Sequence, residues 1–169
     1  MTLQERSYAW EVGGDTAKLN LDRGLIIVDK EDLPLVVRKP WSISFISGKP
    51  YAFTHINQKT ITLHKVLIQD STGKEVDHID RNPLNNVRSN LRLCSRTQNQ
   101  QNRGVFKNNK CGYKGVYFDS RKQRWRARIT VNKRRISLGS YESKEEAAKA
   151  YDAAAITHFK EFAAPNFAA

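Results

Sequence analysis

Asp77 and His78 stand side by side at the front of a stretch otherwise crowded with amides: from Val76 to Asn102 the chain holds six Asn and three Gln. A carboxylate binds a hard cation such as Mg²⁺, and a neutral imidazole can take a proton from water near neutral pH. Base and cation together are the minimum equipment for hydrolysing a phosphodiester: the base makes the nucleophile and the cation stabilises the developing charge. An Asn carbonyl suits such a site as a second hard ligand, because it brings no further negative charge near a phosphate. Alone, an Asp-His pair reads as an exposed turn whose Asp caps a backbone N–H. The amides spaced behind it turn the reading towards a site.

A second chemistry lies downstream. From Arg103 to Arg135 there are twelve Lys or Arg against one acid, Asp119, in a chain of 169 residues with net charge +12. A field of that sign attracts polyanions, and the interleaved aromatic residues suit nucleic acid rather than a merely solvated surface. In "RWRARITV" the parities separate: Trp125, Ala127, Ile129 and Val131 face one side, and Arg124, Arg126, Arg128 and Thr130 the other. Ile136 and Leu138 join the apolar side, as do Val116 and Phe118. Tyr117, Arg135 and Ser137 join the arginines.

The elements that must position these residues are short. Residues 16–65 read as β segments ("AKLNL", "GLIIVD", "WSISFIS", "YAFTHI", "TITLHKVLI"), the last with a helical alternative in Leu63, Val66 and Leu67. "DSTGKE" is a turn, "VDHID" a strand end and "NPLNN" a loop. "VRSNLRLCS" is ambiguous between strand and turn, and "RTQNQQNRG" reads as a short helix closed by Gly104. "VFKNNKCG" has the composition of a linker. Three alternating runs then form a meander, with turns at Arg121–Gln123 and Asn132–Lys133. A helix follows, opened by a capping box of Ser143 and Glu146, with Ala147, Ala150, Tyr151 and Ala154 as its apolar stripe.

"DHIDRNPLNNVRSNLR…TQNQQN" closely resembles the HNH homing endonucleases, in the version common among free-standing bacteriophage enzymes. The likeness extends over the lead-in from Ala17 and ends near Arg103. It implies a ββα-metal (His-Me finger) unit, two strands and a helix around one Mg²⁺ or Mn²⁺. By resemblance Asp77 and Asn99 are metal ligands, His78 is the general base, and Asn90 holds the loop and orients the histidine. Asn85 and Asn86 match a recurrent pair that braces the loop. Asp77 and Asn99 stand where the family's name has histidines, an oxygen-donor set that argues against zinc. Asp80 is a lesser ligand candidate. Arg92 and Arg96 read equally as phosphate contacts or structural residues. His64 reads as a packed or surface residue, and His55 and His158 suggest no partners.

"YKGVYFDSRKQRWRARITVNKRRISLGSYESKEEAAKAYDAAAITHFKEFAAPNF" is similar to the plant ethylene-response-factor (Apetala-type) DNA-binding domain. That resemblance implies a sheet entering the major groove through Lys114, Tyr117, Arg124, Arg126, Arg128 and Arg135. The first turn, "FDSRKQR", departs from the plant pattern, so no target sequence carries over.

The expected architecture is α+β: a nuclease unit with a β-rich lead-in over 1–103, a linker over 104–112, and a three-stranded antiparallel sheet on one helix over 113–169. The expected activity is metal-dependent endonuclease cleavage of double-stranded DNA, nicking or double-stranded, by a monomer or dimer. A DNA-binding regulator with an inactive nuclease unit is the alternative, and an RNA-binding protein a third. No apolar run reaches the roughly eighteen residues of a membrane span. The opening "MTLQERSYAWEVGGD" shows no secretion signal. Cys94 and Cys111 are too few for a disulfide framework. The expected compartment is a cytoplasm, that of a bacterial host if the protein is phage-encoded.

Overall fold

In the computed structural model, which describes residues 9–70, 72–106 and 108–167, the chain divides into two compact units, Met1–Ser95 and Arg96–Ala169. Small antiparallel sheets dominate and helices are few, an α+β architecture.

The lead-in of the first unit builds two three-stranded sheets. One contains β1 (Glu11–Gly13), β2 (Thr16–Leu21) and β3 (Gly24–Asp29). In β2, Ala17 and Leu19 point inward while Lys18 and Asn20 are exposed, the period of a half-buried strand. A one-turn helix, α1 (Leu33–Val36), carries Pro34 in its first turn, where the missing N–H goes unmissed. The second sheet contains β4 (Ser42–Ile46), β5 (Lys49–Ile56) and β6 (Lys59–Thr62). "TITLHKVLI" is divided: β6 ends at Thr62 and α2 (Leu63–Leu67) follows, burying Leu63, His64 and Leu67. Ile26, Val28, Trp41 and Leu63 form the centre of the core, and the Trp41 indole N–H donates to the Val36 carbonyl at 2.9 Å.

The unit ends with β7 (Glu75–His78) paired to β8 (Leu91–Cys94). The loop between them is fastened to β3. The Ile27 N–H donates to the Leu84 carbonyl at 2.9 Å, and the Asn86 N–H donates to the Ile27 carbonyl at 2.7 Å. Gly24 permits this approach, since a Cβ there would stand 2.6 Å from Leu84 Cδ1, at φ +152°. Arg88 closes the loop: its N–H donates to Asp29 Oδ2 at 2.6 Å, and its guanidinium grips Asp32 at 2.8 to 3.1 Å.

The second unit opens with α3 (Arg96–Gln101). In the stretch of linker composition, Asn109 Oδ1 accepts from the N–H groups of Cys111 and Gly112, and its Nδ2 donates to the Tyr113 carbonyl at 2.8 Å. The meander follows as β9 (Val116–Asp119), β10 (Arg124–Val131) and β11 (Arg134–Tyr141), with β10 central. Asn132 and Lys133 both have positive φ, at 50° and 64°, as a tight hairpin turn of matching twist requires. Helix α4 (Lys144–Phe159) starts with the expected capping box of Ser143 and Glu146. Its buried face is Ala147, Ala148, Tyr151, Ala155 and Phe159, rotated from the expected stripe, because Ala150 and Ala154 are only half-buried. Gly115, at φ +76°, lies where any Cβ would overlap the Tyr151 ring. The final Asn166 ties this unit together: its Oδ1 accepts from the Lys114 N–H at 2.6 Å, and its Nδ2 and N–H both donate to buried Asp152.

Candidate functional site

Asp77 and His78 end β7, and both are buried, at 5% and 6% exposure. Cross-strand register sets Asp77 opposite Arg92. The Arg92 Nε and Nη2 both donate to Asp77 Oδ2, at 2.9 and 2.7 Å. Arg92 is therefore the counter-ion of the acid. Arg96 is an exposed residue of α3.

The His78 imidazole meets the side chains of Asn86, His64 and Tyr51. Its Nε2 is 3.3 Å from Asn86 Oδ1, and its ring meets those of His64 and Tyr51 edge-on, with centroids 5.1 and 6.4 Å away. Burial holds the His78 pKa below its ordinary value, although Asn86, Asp80 and Asp77 all favour the proton. It therefore sits neutral at pH 7, as a base must. His64 is pushed down to about 3, by burial first and then by His78 and Lys65, and its Nε2 lies 2.9 Å from Thr62 Oγ1. His64 is thus a packed residue, the first of the two readings its position allowed, with the rings of His78 and Tyr51 against it. Its sequence signal was a histidine flanked by the buried positions of a short apolar helix. His55 does find a partner, Thr60 Oγ1 at 3.3 Å, and His158 is exposed.

The amides sort by what they reach. The Asn90 side chain bonds only the loop: Oδ1 accepts from the Asp80 N–H at 2.9 Å, and Nδ2 donates to Asp80 Oδ1 and to the Asn85 carbonyl. Asn86 places an amide at the ring of His78. Asp80, considered as a ligand, is the hub of the loop. Burial works against its charge, but bonds from Asn82, Asn85 and Asn90 outweigh that and hold its carboxyl below the usual range. Asn99 lies half-buried on α3, in the second compact unit. Among the described residues no three or more His, Cys, Asp or Glu gather as metal ligands. Carboxylate and amide oxygens, such as those of Asp77 and Asn99, fit instead a hard cation that keeps much of its own water.

On the meander, Tyr117, Arg124, Arg126, Arg128 and Arg135 share the outer face, since Tyr117 pairs with Arg126 and Arg135 with Thr130. This face is less bare of acid than its own residues suggested. Asp119 lies 3.5 Å from Arg126, and Glu142, beyond β11, pairs with Arg124 at 3.0 Å. Arg128 lies over the Tyr117 ring at 4.8 Å, holding both in place. A bulge between Ala127 and Arg128 lets Leu138 pack on the core beside Gly139. Phe118 and Ile136 lie on the inner side as expected, yet both are exposed. Lys114 differs from the other candidates. Its Nζ donates to the carbonyls of Gln101 and Arg103 at 2.7 and 2.6 Å, fastening the end of α3.

The model of the AP2 domain family matches residues 111–160, and that of the HNH endonuclease family matches residues 70–101. An uncharacterized HNH endonuclease of Acanthamoeba polyphaga mimivirus is 37% identical over 145 residues, covering 82% of this chain and 73% of the relative. The chain belongs to the HNH endonucleases. Protein 3.8 of Escherichia phage T7 is 34% identical over 79 residues, 47% of this chain and 65% of that protein. An ethylene-responsive transcription factor-like protein of Arabidopsis thaliana is 34% identical over 93 residues, 54% of this chain and 39% of its own length. This HNH endonuclease thus joins a nuclease segment to an AP2 DNA-binding domain. Among the described residues, no helix is long and apolar enough to cross a membrane.

Proposed function

We propose that this HNH endonuclease hydrolyses a phosphodiester of double-stranded DNA with His78 as general base and a single Mg²⁺ or Mn²⁺ held by Asp77 and Asn99 in a ββα arrangement. The observation that carries this reading is the neutral, buried imidazole of His78 next to the carboxylate of Asp77 at one strand end. His78 takes a proton from water, the water oxygen bonds to phosphorus, and the bond to the leaving oxygen breaks. The cation, when bound, supplies Lewis-acid stabilisation of charge on the phosphate oxygens. Asn90 keeps the loop closed behind the strand, through its bonds to Asp80 and Asn85. The outer face of β9, β10 and β11 holds the duplex through Tyr117, Arg124, Arg126, Arg128 and Arg135, where Arg can reach guanine edges and phosphates. Lys114 braces α3.

A supercoiled-plasmid assay with Mg²⁺, and with chelator, tests the reading. His78→Ala is expected to lower cleavage about 10²–10⁴-fold, the usual scale of general-base catalysis, with DNA affinity retained. Cleavage by the variant at the wild-type rate would sink the assignment of His78. The same gels separate nicking from double-strand cutting.

A further inference from the structure

One face of the β4–β5 hairpin is turned to the strand end that carries His78. On β5, Tyr51 meets the rings of His64 and His78, with centroids 6.0 and 6.4 Å away. Side chains alternate along a strand, so Lys49 shares the face of Tyr51. β6 pairs with β5 only from Phe53 onward, and among the described residues 49–52 pair with β4 alone. The turn between β4 and β5 is tight: Ser47 and Gly48 lie at φ 52° and 77°, and Ile46 pairs with Lys49 across it. The hairpin thereby fixes where the Lys49 stem begins. Burial does most to keep His78 neutral, and the charge of Lys49 acts in the same direction, so the ammonium is within electrostatic reach of the imidazole.

Arg92 is held by Asp77 and Arg88 by Asp32, whereas Lys49 pairs with no acid among the described residues. A base that takes a proton from the attacking water sets the phosphate one water away from itself. An exposed ammonium on the wall beside that base therefore faces the charge of the phosphate. We propose that Lys49 is a further catalytic residue: its ammonium donates a hydrogen bond to a non-bridging oxygen of the scissile phosphate and stabilises the charge that grows there during attack. The inference rests on His78 being the general base. A lysine suits the task, as a compact point charge on a flexible stem that can follow the phosphate while its bonds change. It gains and loses no proton in the step. Its contribution is a protein charge already in place where negative charge develops.

Single-turnover cleavage by the full-length protein, at saturating enzyme with Mg²⁺, tests the assignment on a duplex spanning a cut site mapped on the plasmid. Lys49→Met is expected to lower the rate by on the order of 100-fold, the scale of losing one preorganised donor, with duplex affinity nearly unchanged. Lys49→Arg, which keeps the charge, is expected to recover part of the loss. A lysine that merely clamps DNA gives the opposite split: weaker affinity, a salt slope lower by about 0.9, and an unchanged saturated rate. That result overturns the proposal, and so does Lys49→Met with rate and affinity both at wild-type values. Carbon-13 NMR of the wild-type protein with methylated lysines, which keep their charge, reads the contact without cleavage. With chelator present, the Lys49 signal, assigned by its loss in Lys49→Met, is expected to shift when the duplex is added. A signal that stays in place also overturns the proposal. Cleavage by His78→Ala at the wild-type rate removes the general base and this inference with it, whereas Lys49→Met at the wild-type rate removes this inference alone.

Discussion

Arg92 stands opposite Asp77 across two strands, and both side chains are nearly buried, at 15% and 6% exposure. Removing one partner of such a pair leaves the other charge in a poor solvent, a loss of about 3–5 kcal/mol. Arg92→Met should lower unfolding stability on that scale in urea melts with chelator present. With Asp77 as a metal ligand, Mg²⁺ should stabilise wild type and variant alike, because a cation bound to the folded state alone stabilises it. No gain with Mg²⁺ in either protein would argue that Asp77 holds no metal. At this scale the sequence was informative about which residues gather and poor on which atoms meet. Spacing set Asp77, His78 and the amides in one hairpin. It could not tell that Asn90 turns to Asp80 while Asn86 reaches the imidazole, because both lie in one loop and only its fold decides.

Helix α2 decides the surroundings of His78 by burying His64 against it. The folded state keeps His64 neutral down to about 3, whereas the unfolded chain protonates it near 6.5. Between those values the unfolded state binds more protons, so stability present above pH 6.5 is lost as pH falls towards 3. The slope approaches roughly 1.4 kcal/mol per pH unit. His64→Leu should flatten the loss in thermal melts taken between neutral and acid pH, and an unchanged slope would place the acid sensitivity elsewhere. Element types were largely legible, because alternation in β2 and β10 and the capping box of α4 are local signals. The short α1 was not read, and α2 stood only as an alternative to strand. One-turn helices bury too few residues to show a period, and packing on Trp41 and its neighbours decides them. The bulge in β11 was equally hidden, since its unpaired residue, Leu138, packs with Ile129, Tyr151, Ala155 and Phe159 and no pattern within the strand announces it.

For the whole molecule, the net charge of +12 sets attraction to a polyanion, and the meander gives it a face. Replacing Arg124, Arg126 and Arg128 with Ala should weaken duplex binding and lower the slope of log K against log salt by about 0.9 for each phosphate no longer neutralised. Affinity and slope unchanged from wild type would remove this face from the interface. Glu142 pairs with Arg124 and Asp119 with Arg126, so the effect should be unequal when the three are replaced singly, and Arg128 the strongest.

The six-residue helix α3 belongs to two accounts at once. The HNH family match runs to residue 101 and so claims it, while its packing places it with Arg96–Ala169, where the Lys114 ammonium grips its last carbonyl. Anyone wishing to graft this nuclease onto a different DNA reader therefore meets a shared part. A splice after Ser95 surrenders Asn99 with the helix, and a splice after Arg103 leaves the helix without its clasp. A working chimera would have to carry Lys114 across the join, or supply a new cation to close the end of α3.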